Sequence, residues 1–287
     1  MENKISTLKE LEEIEKKYDP QLSFREIGSK LNFIIFILLI SMSIYHFWAS
    51  GFGLVREVLH RGIHISYVIG LVFLLFSWKK NITKTSFLHF QNVPIIDIIF
   101  AILAVVSALY LPLLPSEVLA QRVGNPEKID VLMGSILIIL TLEATRRSVG
   151  YTLPLIAIIF ILFALFGPLA PGALKHGGTS WLGFVNHIYI TNQGVYGIAV
   201  GVMAQYVFLF ILFGVLATRV GLGKLFIDLA MLIAGKFSGG PAKVAIFSSA
   251  FMGTISGSSI ANTVTTGSLT IPAMKKVGYP SHFSGAV

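Results

Sequence analysis

Apolar residues occur in long blocks along this chain, with short basic segments between them. A helix needs roughly 20 residues to cross a hydrocarbon core. Six blocks approach or reach that length, at about 31–48, 62–78, 94–111, 131–147, 151–166 and 194–218. The pattern predicts an all-α polytopic membrane protein with about six transmembrane helices. Tyr45, Phe47 and Trp48 close the first block and Trp78 the second, as suits aromatic residues at a membrane interface. Pro94 opens the third in its first turn, where a missing amide costs nothing. Asp97 lies in the same turn, where the helix dipole favours a carboxylate, so a structural cap is the simpler reading and a functional carboxylate the other. Glu143 precedes Arg146 and Arg147 by three and four residues, which puts all three on one helix face. A salt pair at a cytoplasmic helix end is expected there, with a substrate clamp as the alternative.

The remaining segments fit around these spans. Residues 1–30 carry six Lys/Arg and seven Asp/Glu, with Ile5, Leu8, Leu11, Ile14 and Tyr18 at near-helical spacing. They predict a cytoplasmic amphipathic helix ended by Pro20. GPLAPG at 167–172 breaks the fifth span, and residues 173–193 predict a loop with a short interfacial helix. Gly194, Gly197 and Gly201 open the sixth span and are expected to permit close helix packing. Leu225–Ala234 is too short to cross and is flanked by Arg219, Lys224, Lys236 and Lys243. It predicts a horizontal cytoplasmic arm.

Residues 244–274 are different in kind. They lie between Lys243 and Lys275-Lys276, and 31 residues are too many for one span and too few for two. Basic residues at both ends place both ends on the cytoplasmic side. Together these features predict a re-entrant helical hairpin whose tip, Ser256 to Asn262, exposes backbone at membrane depth. Such backbone is tolerated where it lines a cavity or is buried in protein. Carbonyls, hydroxyls and the Asn262 amide suit a weakly held cation such as sodium, and the amide ends of an interrupted helix suit a carboxylate. The plainer alternative is a close helix crossing through the Gly253/Gly257 GxxxG pair.

Charge and composition narrow the function. Of 22 Lys/Arg, 17 fall in segments that an inside N-terminus would place in the cytoplasm, which predicts that orientation. The net charge of +8 is accounted for by topology and contact with anionic membrane lipid, not nucleic acid. Cysteine is absent, which excludes disulfides and thiol catalysis. No GxxxxGK[ST] loop is present. His60 and His64 are four residues apart, but they are expected in an outer loop with no third ligand. Ser256, Ser258 or Ser259 could serve as an intramembrane nucleophile only with a base in reach, and no GxSxG pattern is present. The chain is expected not to be an enzyme. The competing readings are an assembly or scaffold protein and, behind it, an intramembrane serine enzyme.

The run GGPAKVAIFSSAFMGTISGSSIANTVTTGSLTIPAMKKVGY, residues 239–279, closely resembles the first hairpin of the large membrane subunit of TRAP transporters (tripartite, ATP-independent, periplasmic-binding-protein-dependent). The chain before it resembles the fused form, in which a small four-helix subunit precedes the large one, as is typical of systems with a TAXI-type binding protein. The likeness covers most of residues 95–287. It implies a secondary transporter permease of the bacterial inner membrane that imports small organic acids with a sodium gradient, its substrate delivered by a periplasmic TAXI-type binding protein. It implies no cofactor beyond sodium as coupling ion, and an elevator-like movement of the hairpin block against a scaffold. Carried onto this chain, it implies ion and substrate contacts at Ser256, Gly257, Ser258, Ser259 and Asn262, and less directly at Thr263 and Thr266, with sodium at Ser256, Gly257, Ser258 and Asn262. The domains it implies are a cytoplasmic segment 1–30, a four-helix scaffold 31–148, and the start of a transport domain 149–287. Two departures stand out. Stand-alone large subunits often carry an acidic residue at the place of Asn262. The second hairpin of the inverted repeat is not in this chain, so a fragment unable to transport alone is expected.

Overall fold

The computed structural model describes residues 24–53, 55–78, 89–255 and 259–287. The amphipathic helix expected before Pro20 lies outside the described residues, as do Lys79, Lys80 and Lys84. The described chain is all-α apart from one two-residue hairpin, His89–Phe90 with Val93–Pro94. Gln91 and Asn92 at its turn both have positive φ, 52° and 68°, the conformation of a tight two-residue hairpin turn. Among the described residues four helices are long and apolar enough to cross a membrane: Ser29–Phe52, Glu57–Leu75, Ile95–Leu113 and Ile198–Ala217. The predicted fourth and fifth spans are helices too. One, Lys128–Ser148, carries charges at both ends, and the other, Thr152–Leu165, has only 14 residues. The protein is an all-α polytopic membrane protein.

The described residues divide into two compact units, within 24–206 and 207–287. In the first, α1 (Ser29–Phe52), α2 (Glu57–Leu75), α3 (Ile95–Leu113), α4 (Ser116–Arg122) and α5 (Lys128–Ser148) precede α6 (Thr152–Leu165), α7 (Trp181–Val185) and α8 (Ile198–Val202). Small residues let α2 and α3 approach closely. A β-carbon at Gly62 would lie 2.5 Å from the Pro112 ring, and one at Gly70 would lie 3.1 Å from Val105. Ala101, Ala104 and Ala108 are buried on α3. Between membrane helices such contacts carry association, because lipid is as apolar as the helix faces.

Pro112 lies inside α3. Its missing amide leaves the Ala108 carbonyl without a helical partner. The hydroxyl of buried Tyr196 donates to that carbonyl at 2.8 Å, and Tyr189 donates to the Ser107 carbonyl at 2.6 Å. The two tyrosines thus anchor the segment before α8 onto α3, and Gly134 of α5 makes room for Val185 and the Tyr189 ring. Arg56 donates to the carbonyls of Pro112 and Leu114, which close the C-terminal end of α3.

A buried ion network closes the other end. Asp97 is 1% exposed and accepts from Arg25 at 2.8 Å and from Arg147 at 2.7 Å. Arg147 also reaches Glu143 at 2.7 Å, and Arg146 binds the same carboxylate through two bonds of 2.7 Å. Arg25 caps α2 as well, donating to the carbonyls of Phe73 and Phe76. Asp97 is therefore structural, as the simpler reading holds, but as the centre of an ion network more than as a cap. Arg147 is committed to that network, which leaves the substrate-clamp alternative without support.

Two local expectations are corrected. His60 and His64 do not lie in an outer loop. Helix α2 begins at Glu57, more than a turn earlier than its hydropathy suggests, and both histidines are buried on it. Gly194 and Gly197 precede α8 in a tight turn, where Gly197 N–H donates to the Gly194 carbonyl, so neither packs one helix on another. Gly201 does sit in a close contact, but with a side chain: its β-carbon would lie 2.7–3.0 Å from the Arg61 guanidinium.

The second unit contains α9 (Phe208–Arg219), α10 (Leu222–Ala234), α11 (Gly240–Gly253), α12 (Ser259–Lys276) and α13 (Ser281–Ala286). Gly221 and Gly239, with φ of 98° and 74°, make the turns into α10 and α11, a conformation glycine adopts without strain. The segment expected as an arm is α10. Its Ala230 and Ala234 pack with Val244 and Phe251 of α11.

Replacing Asp97 by Leu leaves the buried Arg25 guanidinium without a carboxylate and Arg147 with Glu143 alone, and should lower stability by about 3–5 kcal/mol. Thermal unfolding in detergent checks this, and an unchanged midpoint would contradict a structural role. Tyr196→Phe removes the only described donor to the Ala108 carbonyl and should cost about 1–3 kcal/mol in the same assay.

Candidate functional site

The hairpin predicted at 244–274 exists as α11 and α12, arms of 14 and 18 residues. The chain turns between Gly253 and Ser259. Ser256, Gly257 and Ser258 lie outside the described residues. Ser259 is the first residue of α12.

Asn262 joins the arms. Its side-chain Nδ2 donates to the Ser249 carbonyl at 3.0 Å, and that bond orients the amide. A β-carbon at Gly253 would lie 3.5 Å from the same nitrogen, in ordinary van der Waals contact. The other side-chain atom, Oδ1, is buried and accepts no hydrogen bond. A buried acceptor without a partner costs free energy, and an amide oxygen is a suitable ligand for a hard cation. Among the described residues the tip thus offers one oxygen compatible with the expected cation.

Three other hydroxyls of α12 bond back on their own helix. Thr266 donates to the Asn262 carbonyl and Thr270 to the Thr266 carbonyl, both at 2.8 Å, and Ser268 donates to Thr265 at 2.9 Å. This back-bonding lets a hydroxyl-rich helix carry its polar groups without outside partners. Asn262, Thr266, Thr270 and Met274 recur every four residues, and the last three are buried. They form one stripe along α12. Thr266 thus braces the turn that carries Asn262, whereas Thr263 is exposed on another side of the helix. Of the predicted site residues, the structure brings Asn262 and Thr266 together, and Thr263 lies on another side of α12.

Two contributors were not evident from residue type. Ser249 acts through its backbone carbonyl, so its side chain gives no signal. Gly214 of α9 faces the Ile255 carbonyl at the end of the first arm, where any β-carbon would collide with it. A glycine inside an apolar run can only be read as small, and nothing in the run names its neighbour. Among the described residues no group of three or more His, Asp or Glu side chains is arranged to hold a metal ion.

Residues 136–287 match the family described as "Tripartite ATP-independent periplasmic transporter, DctM component". Over 78 residues the chain is 41% identical to a TRAP transporter large permease protein of Haemophilus influenzae. The matched stretch is 27% of this chain and 18% of that protein, so the likeness spans a minor part of the relative's length. No solved structure matches the chain. With more than half of its residues in the family match, including the whole hairpin and the Asn262 bridge, the chain belongs to the DctM component of the tripartite ATP-independent periplasmic transporters, a family of membrane permeases.

Proposed function

We propose that this chain forms part of a sodium-driven permease importing small organic acids across the bacterial inner membrane. Its N-terminus is cytoplasmic, and a periplasmic TAXI-type binding protein delivers the substrate. The observation that carries the proposal is the buried, unpartnered Oδ1 of Asn262 at the end of a helical hairpin. Sodium held there would neutralise an acceptor that nothing else in the described structure satisfies. Asn262 supplies a side-chain oxygen, and Ser256, Gly257, Ser258 and Ser259 at the tip are proposed to supply hydroxyl and carbonyl oxygens. Thr266 holds the Asn262 backbone in register, and Thr263 is a candidate substrate contact. The hairpin is proposed to enter the membrane from the cytoplasmic side and to move with its unit in an elevator-like cycle.

The scaffold role falls to residues 31–148. The anchoring of Tyr189 and Tyr196 on α3 supports assigning the segment up to about residue 206 to the same side. The transport part then begins near Val207, where the second compact unit starts. An organic acid is favoured as substrate because helix amide ends at an interrupted hairpin attract carboxylates. A neutral amide at 262 in place of a carboxylate leaves the site less negative, which also favours an anionic substrate beside the cation.

Uptake by the full-length permease in proteoliposomes, with its binding protein and an inward sodium gradient, tests this directly. Asn262→Ala should lower sodium-dependent uptake by about tenfold or more, the loss of one ligand being worth roughly 1.4 kcal/mol. Ser258→Ala should lower it in the same direction. Uptake indifferent to sodium and to both substitutions would return the stretch to a closely packed helix crossing. Gly214→Ala displaces the Ile255 carbonyl and should raise the sodium concentration for half-maximal uptake by about threefold to tenfold. An unchanged sodium dependence would separate α9 from the site.

A further inference from the structure

Where α1 meets α2, three histidines are buried: His46 is 0%, His60 5% and His64 7% exposed. Hydrogen bonds fix the tautomers of His46 and His64. His46 Nδ1 lies 2.8 Å from the Met42 carbonyl, which can only accept, so Nδ1 carries the proton. His46 Nε2 is 2.9 Å from His64 Nδ1, so His46 accepts and His64 donates. His60 Nδ1 lies 3.0 Å from the Tyr45 hydroxyl. The ring centres of His46 and His60 are 5.3 Å apart, and those of His46 and His64 are 5.0 Å apart.

This cluster matters because α1 has few other holds. Its buried residues are Leu31, Ile35, Met42 and His46. The Gly28 amide bonded to Gln91 secures its N-terminal end. Further along, the described side-chain bonds to α2 are Ser41 to Tyr67 at 3.0 Å, Tyr45 to His60 and His46 to His64. Two of the three depend on histidine. Between apolar helices in lipid, packing and such bonds hold the contact together.

We propose that this seam is a pH-sensitive latch, in which protonation of the histidine cluster releases the C-terminal half of α1 from α2. A proton on His46 Nε2 turns an acceptor into a donor and opposes the donor on His64. Positive charge on either of the other rings meets its neighbours at close range in a medium of low dielectric. Among the described residues, the other ionisable groups around the cluster are already engaged. Tyr45 and Tyr67 hydrogen-bond His60 and Ser41, and Arg61 is paired with Glu57 and donates to the Tyr196 carbonyl at 2.6 Å. On α3, Asp97 is bound by arginines and Tyr110 by Asp130. On α5, Asp130, Glu143, Arg146 and Arg147 are engaged in their own pairs and Lys128 is exposed. The segment 198–207 brings only Tyr206, which is exposed. In the orientation proposed above, the latch faces the periplasm.

The chain has no cysteine, so spin labels can be placed on Phe47→Cys and Val68→Cys, two exposed positions on α1 and α2. In lipid nanodiscs, the distance between them should show one population at about pH 7.5 and a second, longer one at about pH 5, across the range where histidine changes charge. If release takes up one proton, the ratio of longer to shorter distance rises by up to about tenfold per pH unit. The His46→Leu/His64→Leu pair should abolish that response. A native distance unchanged across the range, or an equal response in the substituted chain, would overturn the latch. Nitrogen-15 shifts of labelled histidines in the unsubstituted chain provide a reading independent of that variant. They should report Nδ1–H at His46 and His64 near neutral pH, and any other tautomer at either ring would overturn the proposal.

Discussion

The first unit depends on one buried carboxylate. Asp97 stands between Arg25 and Arg147 with almost no exposure, and its two partners carry the constraint outward. Arg25 fastens the chain before α1 to the carbonyls at the end of α2. Arg147 fastens the end of α5 to the start of α3 and shares Glu143 with Arg146. Charges removed from water are expensive, and their attraction repays the cost only when each finds its partner. The network therefore specifies one arrangement of four segments and leaves few alternatives. At the opposite end, the Pro112 defect in α3 does similar work at lower energy. It presents a carbonyl to which the Tyr196 hydroxyl donates.

The hairpin follows the opposite rule. Its polarity is nearly all satisfied within α12 itself, through hydroxyls that bond back one turn. Among the described residues of the hairpin, the buried side-chain atom left over is the Asn262 oxygen, held in place by the bond its own nitrogen makes to the facing arm. Both units leave buried side-chain atoms without a partner, guanidinium nitrogens of Arg25, Arg61 and Arg147 in the first and the Asn262 oxygen in the second, and of these only the acceptor suits a cation.

Much of this was legible from hydropathy. The helices, the short arm and the hairpin follow from block lengths and from where the lysines fall, because a bilayer imposes a minimum length and a preferred side for charge. The residues that decide the packing were harder to see. Arg25, Arg61 and Arg147 look like topology markers, yet all three are buried in ion pairs. A count of basic residues cannot distinguish an arginine at a headgroup from one in a core pair. His60 and His64 looked incidental because their partner, His46, is far away in sequence and on another helix. Asn262 could be named because it stands out in its run, but the backbone carbonyl that orients it could not.

The central claim is that the Asn262 amide oxygen belongs to a sodium site. Equilibrium binding of radioactive sodium to the purified full-length permease, with Asn262→Leu measured alongside, tests it most directly. Saturable binding that potassium does not displace, and that is lost in the substituted protein, is the predicted result. Equal binding by both proteins would contradict the claim and return Asn262 to a purely structural link between the two arms.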